Sequence, residues 1–125
     1  MIAKTQVQTE QSAPKQEIID QIWLNEQKLA NVGTDVAVLD KIAMDFVSFD
    51  ASGNTIAKSE YADRLSTTSE VKLTRLWGHF GSEQSCCLAY QKVHNSGVVD
   101  ICMALWIEVD GAWRKSFHHQ NVKFG

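Results

Sequence analysis

His118 and His119 are adjacent near the C-terminus, in the stretch Val109-Asp110-Gly111-Ala112-Trp113-Arg114-Lys115-Ser116-Phe117-His118-His119-Gln120. Neighbouring imidazoles are material for metal binding or acid–base catalysis, because histidine ligates metals and titrates near neutral pH. Asp100 and Cys102 lie in the segment just before. A carboxylate beside an imidazole fixes its tautomer and raises its pKa, as a general base requires. A thiol beside an imidazole invites comparison with a nucleophile pair, although a small buried hydrophobe is the competing assignment for Cys102. Which chemistry is available depends on the side of the backbone each residue occupies.

The turn signal Asp110-Gly111 sets that geometry. A two-residue hairpin there puts Val109 opposite Ala112. Counting back, Trp106 faces Lys115, Ala104 faces Phe117, Cys102 faces His119 and Asp100 faces Asn121. Strand side chains alternate, so these residues share one face. The other face carries Val99, Ile101, Met103, Leu105 and Ile107, with Arg114, Ser116, His118 and Gln120. His118 and His119 are therefore expected on opposite sides, which argues against a shared metal. With no Cys-x-x-Cys or His-x-x-x-His spacing in the chain, no metal site is expected.

The turn His94-Asn95-Ser96-Gly97 leaves two registers open. A three-residue loop, Asn95 to Gly97, places Tyr90 opposite Cys102 and Lys92 opposite Asp100. A four-residue loop puts Ala89 and Gln91 on that face instead, since a slip of one residue flips every side chain. Asp100 under a helical layer needs a partner, and Lys92, Asn121 or His119 could supply it. His79 and His94 fall near strand ends and read as solvated.

The elements that position these residues follow from periodicity. Pro14 fits a helix start, and from Lys15 to Asn31 the residues Ile18, Ile22 and Leu29 fall near one face, with Ile19, Trp23 and Ala30 beside them. Gly33 is placed to end that helix, and Thr34 or Asp35 to cap a short second one using Val38, Leu39 and Ile42. Phe46, Val47 and Phe49 favour a strand, followed by a dense turn cluster and Thr55-Ile56-Ala57, which reads as a hairpin. Ser59 opens a further short helix. Four strands then follow, divided by short turns, as in an antiparallel meander. The layout is α+β: two to three N-terminal helices on a curved antiparallel sheet. Residues 1–13 read as a flexible tail and 14–125 as one domain.

The 125 residues suffice for a real core, with 44% hydrophobic and 22% charged residues. A net charge of −3 with scattered cations argues against a nucleic-acid surface. No apolar run approaches a membrane span, and no secretory signal is visible. Three cysteines, two of them adjacent, make a disulfide framework a poor fit and favour a reducing cytoplasm. No cofactor motif is present, so none is expected. The unbroken aliphatic face of Val99, Ile101, Met103, Leu105 and Ile107 needs cover that one helical layer cannot supply. A second copy of the chain is the simplest cover, so a homodimer through that face is expected.

The element order, the hairpin from Phe46 to Leu65 and the terminal Ala104-Leu105-Trp106-Ile107-Glu108-Val109-Asp110-Gly111-Ala112-Trp113-Arg114 resemble the nuclear transport factor 2-like (cystatin-like α+β cone) superfamily. Within it, the chain is most similar to the SnoaL-like and domain-of-unknown-function branch, to which the association domain of calcium/calmodulin-dependent kinase II is related. The resemblance spans roughly residues 15–122. It implies a cone whose helices close over a concave sheet and leave a pocket, with the Asp100/Cys102/Trp106 face inside and the aliphatic face at a dimer interface. Isomerase-like members use a strand aspartate and a tyrosine; here Ala104 stands near the aspartate position and the first helix has no tyrosine. Where the related branch carries His-x-His, this chain has Phe117 and His119.

A fold this versatile does not fix chemistry. The leading expectation is a cytoplasmic homodimer binding a small, partly apolar molecule, with Trp23, Phe46, Tyr90, Cys102, Trp106, Phe117 and Asn121 around the ligand. The alternatives are an isomerase-, cyclase- or dehydratase-type enzyme moving protons with Asp100 and His119, and a dimerisation module without a ligand.

Overall fold

The computed structural model describes residues 13–32, 36–50, 52–67 and 70–123. The expectations on the N-terminal tail, on Gly33 as a helix stop and on Thr34 or Asp35 as a cap lie outside those residues.

Helix α1 (Ala13–Ala30) carries Pro14 in its first turn, where a missing N–H has no intrahelical partner to lose. Ile19, Ile22, Glu26 and Leu29 recur at steps of three and four and form its buried stripe. Past its end, the Asn31 side chain clamps the start of the sheet: Nδ2 donates to the Val71 carbonyl at 3.1 Å and Oδ1 accepts from the Val71 N–H at 2.8 Å. The short second helix is a single 3₁₀ turn (Val36–Lys41), because Ile42 already belongs to strand β1 (Ile42–Phe49). Strand β2 (Thr55–Ala57) completes the expected hairpin, and helix α2 (Lys58–Thr67) follows it directly.

Strands β3 (Lys72–Ser82), β4 (Ser85–Val93), β5 (Val99–Val109) and β6 (Ala112–Lys123) form the antiparallel meander. All six strands make one curved, unclosed sheet in the order β2-β1-β6-β5-β4-β3. The β1–β6 pair is parallel. Its long connection leaves no turn signal, so the hairpin's place beside the last strand is not readable from local sequence.

Both turns that set register are resolved. Asp110 and Gly111 have φ of 53° and 81°, the left-handed pair of a two-residue hairpin, and Val109 faces Ala112. In the other turn Gly97 has φ of 92°, and His94 N–H bonds to the Val98 carbonyl at 2.9 Å. The loop is therefore Asn95 to Gly97, Tyr90 faces Cys102 and Lys92 faces Asp100, as in the first of the two registers.

On β6 the count from the turn fails. Trp106 faces Lys115, but Leu105 faces Phe117, so Ser116 has no partner. This is a β-bulge, one extra residue on one strand. Beyond it every residue exchanges faces: Ala104 faces His118, Met103 faces His119 and Cys102 faces Gln120. His118 is thus buried on the inner face, and His119 lies on the outer one. The expected placement of the two histidines is reversed. The pairing of Asp100 with Asn121 is likewise corrected, since Asp100 faces Val122.

The inner face holds the core. Cys86, Leu88, Tyr90, Cys102, Ala104 and Trp106 pack against Ile19, Ile22 and Leu29 of α1. Burying such a side chain contributes about 1.5–3 kcal/mol each. Gly78 on β3 permits the close approach, since a Cβ there would stand 2.9 Å from Ile19 Cγ2. The outer face has no such cover among the described residues. Val99, Ile101, Leu105 and Ile107 are only half-buried, and Met103 is 43% exposed.

Candidate functional site

A line of polar side chains crosses the inner face beneath the helices. Glu26 of α1 lies on its buried stripe, where Oε1 accepts from Trp106 Nε1 at 2.9 Å. Its Oε2 accepts from the Tyr90 hydroxyl and from Lys115 Nζ, the latter at 2.5 Å. Glu26 and Lys115 are 1% and 0% exposed, so this is a fully buried ion pair. Such pairs persist only when further hydrogen bonds complete them. Here Lys115 Nζ also donates to the Tyr61 hydroxyl at 2.8 Å and to His118 Nδ1 at 2.9 Å.

That last contact fixes the histidine. An ammonium has no lone pair, so His118 Nδ1 accepts and the ring proton sits on Nε2. Nε2 donates to Gln120 Oε1 at 3.1 Å. Gln120 Nε2 in turn donates to Asp100 Oδ2 at 2.6 Å, and His94 Nε2 donates to the same oxygen at 2.7 Å. Burial, reinforced by the Lys115 charge, pushes the His118 pKa down to about 3. Burial pushes the Glu26 carboxyl up, but Lys115, His118 and the hydrogen bonds outweigh it and leave it below its ordinary value.

The far end of this line opens into a cavity of about 430 Å³. Asp100, Lys92, His94, His118 and Gln120 form its polar end. Phe49, Ile56 and Leu65 form its apolar wall, with Tyr61 between, and Asp50, Ser52, Asn54 and Arg64 are among its further lining residues. The β1–β2 turn is built by Asp50, whose Oδ1 accepts from the N–H groups of Ser52 and Asn54 at 2.9 and 3.0 Å. Two further clefts, of about 410 and 630 Å³, are not lined by any residue of the polar line.

Of the residues expected around a ligand, Asp100 lines this cavity. Trp23 packs edge-on to Tyr90, with ring centroids 5.4 Å apart, and Phe46 stacks on Tyr61 at 4.4 Å. Tyr90, Cys102 and Trp106 are buried in the core, Phe117 packs on Phe49, and Asn121 is exposed. None of these seven lines the cavity. His119 does not meet Asp100; His94 and Gln120 do, which also corrects the reading of His94 as solvated. Burial pushes the Cys102 thiol up to about 12, so it is no thiolate nucleophile near neutral pH.

Sequence reasoning missed Glu26, Tyr61, Lys115 and His118. Glu26 had a signal: an acidic residue four after Ile22 and three before Leu29, inside the apolar stripe. His118 and Lys115 had none, because an unmarked bulge brings both to one face.

Helices closing over the inner face of a curved, open sheet, with a polar-ended cavity at its edge, match a recurrent architecture among solved structures. A protein of unknown function from Shewanella baltica superimposes with a TM-score of 0.70 at 8% identity, over 93% of this chain and 100% of that one. One from Rhodospirillum rubrum gives 0.67 at 17% identity, over 82% and 98%. Both are described as nuclear transport factor 2-like. This chain has the nuclear transport factor 2-like fold. The association domain of the C. elegans calcium/calmodulin-dependent kinase II also shares it, with a TM-score of 0.62 at 19% identity over 86% and 95%. No protein-family model matches the sequence, and no curated protein does. Among the described residues, no group of His, Cys, Asp and Glu is arranged to hold a metal, and no helix is long and apolar enough to cross a membrane.

Proposed function

We propose that this nuclear transport factor 2-like chain binds a small, partly apolar molecule in the 430 Å³ cavity between the β1–β2 hairpin, α2 and the ends of β4 to β6. The observation that carries this is the convergence of one buried polar cluster on one end of an otherwise apolar chamber. That is the usual form of a ligand site. Binding is favoured over proton transfer by the polarity of the line. His118 Nδ1 is occupied by an ammonium, and Gln120, an amide, stands between the imidazole and Asp100. An amide can hold its neighbours in place but does not readily pass a proton. The cluster is a rigid floor.

Native mass spectrometry of protein purified without denaturation tests this. The expected spectrum contains a bound small molecule that is lost in Ile56→Trp, which fills the chamber. An identical mass for both proteins, equal to the bare chain, would contradict it.

A second reading concerns assembly and is compatible with the first. The outer face of β5, from Val99 to Ile107, is apolar and uncovered. Its neighbours on β4 and β6 continue it with Ala89 and Phe117. We read this face as the contact of a homodimer in a reducing, cytoplasmic setting, where Cys86, Cys87 and Cys102 remain thiols. The association domain that shares the fold lends this reading support.

A further inference from the structure

The polar end of the cavity constrains what sits there, given that the cavity binds a ligand at all. Asp100 is 3% exposed and lies in the cavity wall. Both donors that reach it, His94 and Gln120, use Oδ2. Oδ1 is buried and receives no hydrogen bond from any described residue. A buried acceptor without a donor is costly, and native structures rarely leave one unpaired. The chain's own donors nearby are committed. Gln120 Nε2 is used on Oδ2, and the His118 ring proton is used on Gln120 Oε1.

Lys92 faces Asp100 across the β4–β5 pair and lines the same cavity, yet the two form no ion pair. Its ammonium makes one long hydrogen bond, 3.5 Å to Gln120 Oε1. Burial lowers its pKa, so its charge too is poorly solvated. The two side chains thus present an acceptor needing a donor and a donor needing an acceptor, with opposite formal charges that balance. An additional net charge between them would be desolvated without a counter-charge of its own.

We propose that the polar end of the cavity recognises a neutral group that donates and accepts at once, a primary amide or a hydroxyl, on a ligand with an apolar body. Its N–H or O–H donates to Asp100 Oδ1 while its oxygen accepts from Lys92 Nζ. A carboxylate would set an anion against Asp100, and an ammonium would set a cation against Lys92.

Four probes with one ring and different polar ends decide this: benzamide, benzyl alcohol, benzoate and benzylamine, titrated separately and followed by backbone amide shifts. The expected result is benzamide and benzyl alcohol binding about tenfold or more tightly than benzoate and benzylamine, the scale of one buried hydrogen bond. In Asp100→Asn, benzamide should weaken by about the same factor and benzoate should gain. The order in the unmodified protein stands as a test even if that variant does not fold. If benzoate or benzylamine shifts the cavity amides as strongly as benzamide, the neutral-group assignment is overturned while ligand binding in the cavity stands. If none of the four shifts them at millimolar concentration, both fall together.

Discussion

Lys115 Nζ lies 2.9 Å from His118 Nδ1, so a buried ammonium and a buried imidazole share one hydrogen bond three residues apart on the same strand. In an unbroken strand, residues separated by three point to opposite faces. The unpaired Ser116 brings them together. The contact makes His118 a neutral donor through Nε2, from which the orientation of Gln120 and then of Asp100 follows.

This tautomer has a pH consequence. The unfolded imidazole takes its proton near 6.5 and the folded one only near 3. Between those values the unfolded chain holds the extra proton, so the stability linked to His118 is complete above pH 6.5 and is lost as pH falls towards 3. Glu26, lowered by its partners, acts in the same direction further into acid. Urea unfolding across pH 4 to 7.5 should show stability falling with acid, less steeply in His118→Gln. Parallel slopes for the two proteins would show that His118 titrates normally.

Glu26 is the only carboxylate that accepts from Lys115 among the described residues, and removing it leaves a buried charge unpaired. Glu26→Gln should cost about 3–5 kcal/mol by chemical denaturation. Adding Lys115→Met should recover part of that loss, because the stranded charge goes with it. Strict additivity of the two substitutions would mean the pair is not coupled.

At the contact between α1 and β3, a Cβ at residue 78 would stand 2.9 Å from Ile19 Cγ2 and 3.2 Å from Leu88 Cδ2. Ile19 is itself buried and its Cγ2 is fixed close to the helix backbone. Gly78→Ala should therefore destabilise by about 1–3 kcal/mol, the range for overpacking. An unchanged melting temperature would show that the helix yields freely there.

The outer face gives a solution test. The unmodified chain should sediment as a dimer at micromolar concentration, and Met103→Asp should sediment as a folded monomer. Monomeric behaviour of the unmodified chain would remove the role assigned to Val99, Ile101, Met103, Leu105 and Ile107.

The order of elements was legible in the sequence because each carries local signals: Pro14, the α1 stripe, Gly97, and Asp110 with Gly111. The inner face of β5 was legible as well, since Asp100, Cys102, Ala104 and Trp106 alternate without interruption. The site was mostly not legible. Register counted from a turn holds only until the first bulge, and nothing marks Ser116 as a residue without a partner. The parallel seat of β1 on β6, which brings Ser48 and Phe49 to the cavity beside His118, is a long-range pairing without a turn to announce it. Asp100 was found by its burial beside polar residues, while its partner changed from His119 to His94 and Gln120 once the strand shifted.

A crystal structure of the protein purified without denaturation tests the cavity most directly. The expected map contains ordinary ligand density in the chamber bounded by Phe49, Ile56 and Leu65, with a donor atom within hydrogen-bond reach of Asp100 Oδ1. A chamber closed by its own side chains, with Oδ1 bonded to a protein donor, would contradict the proposed function.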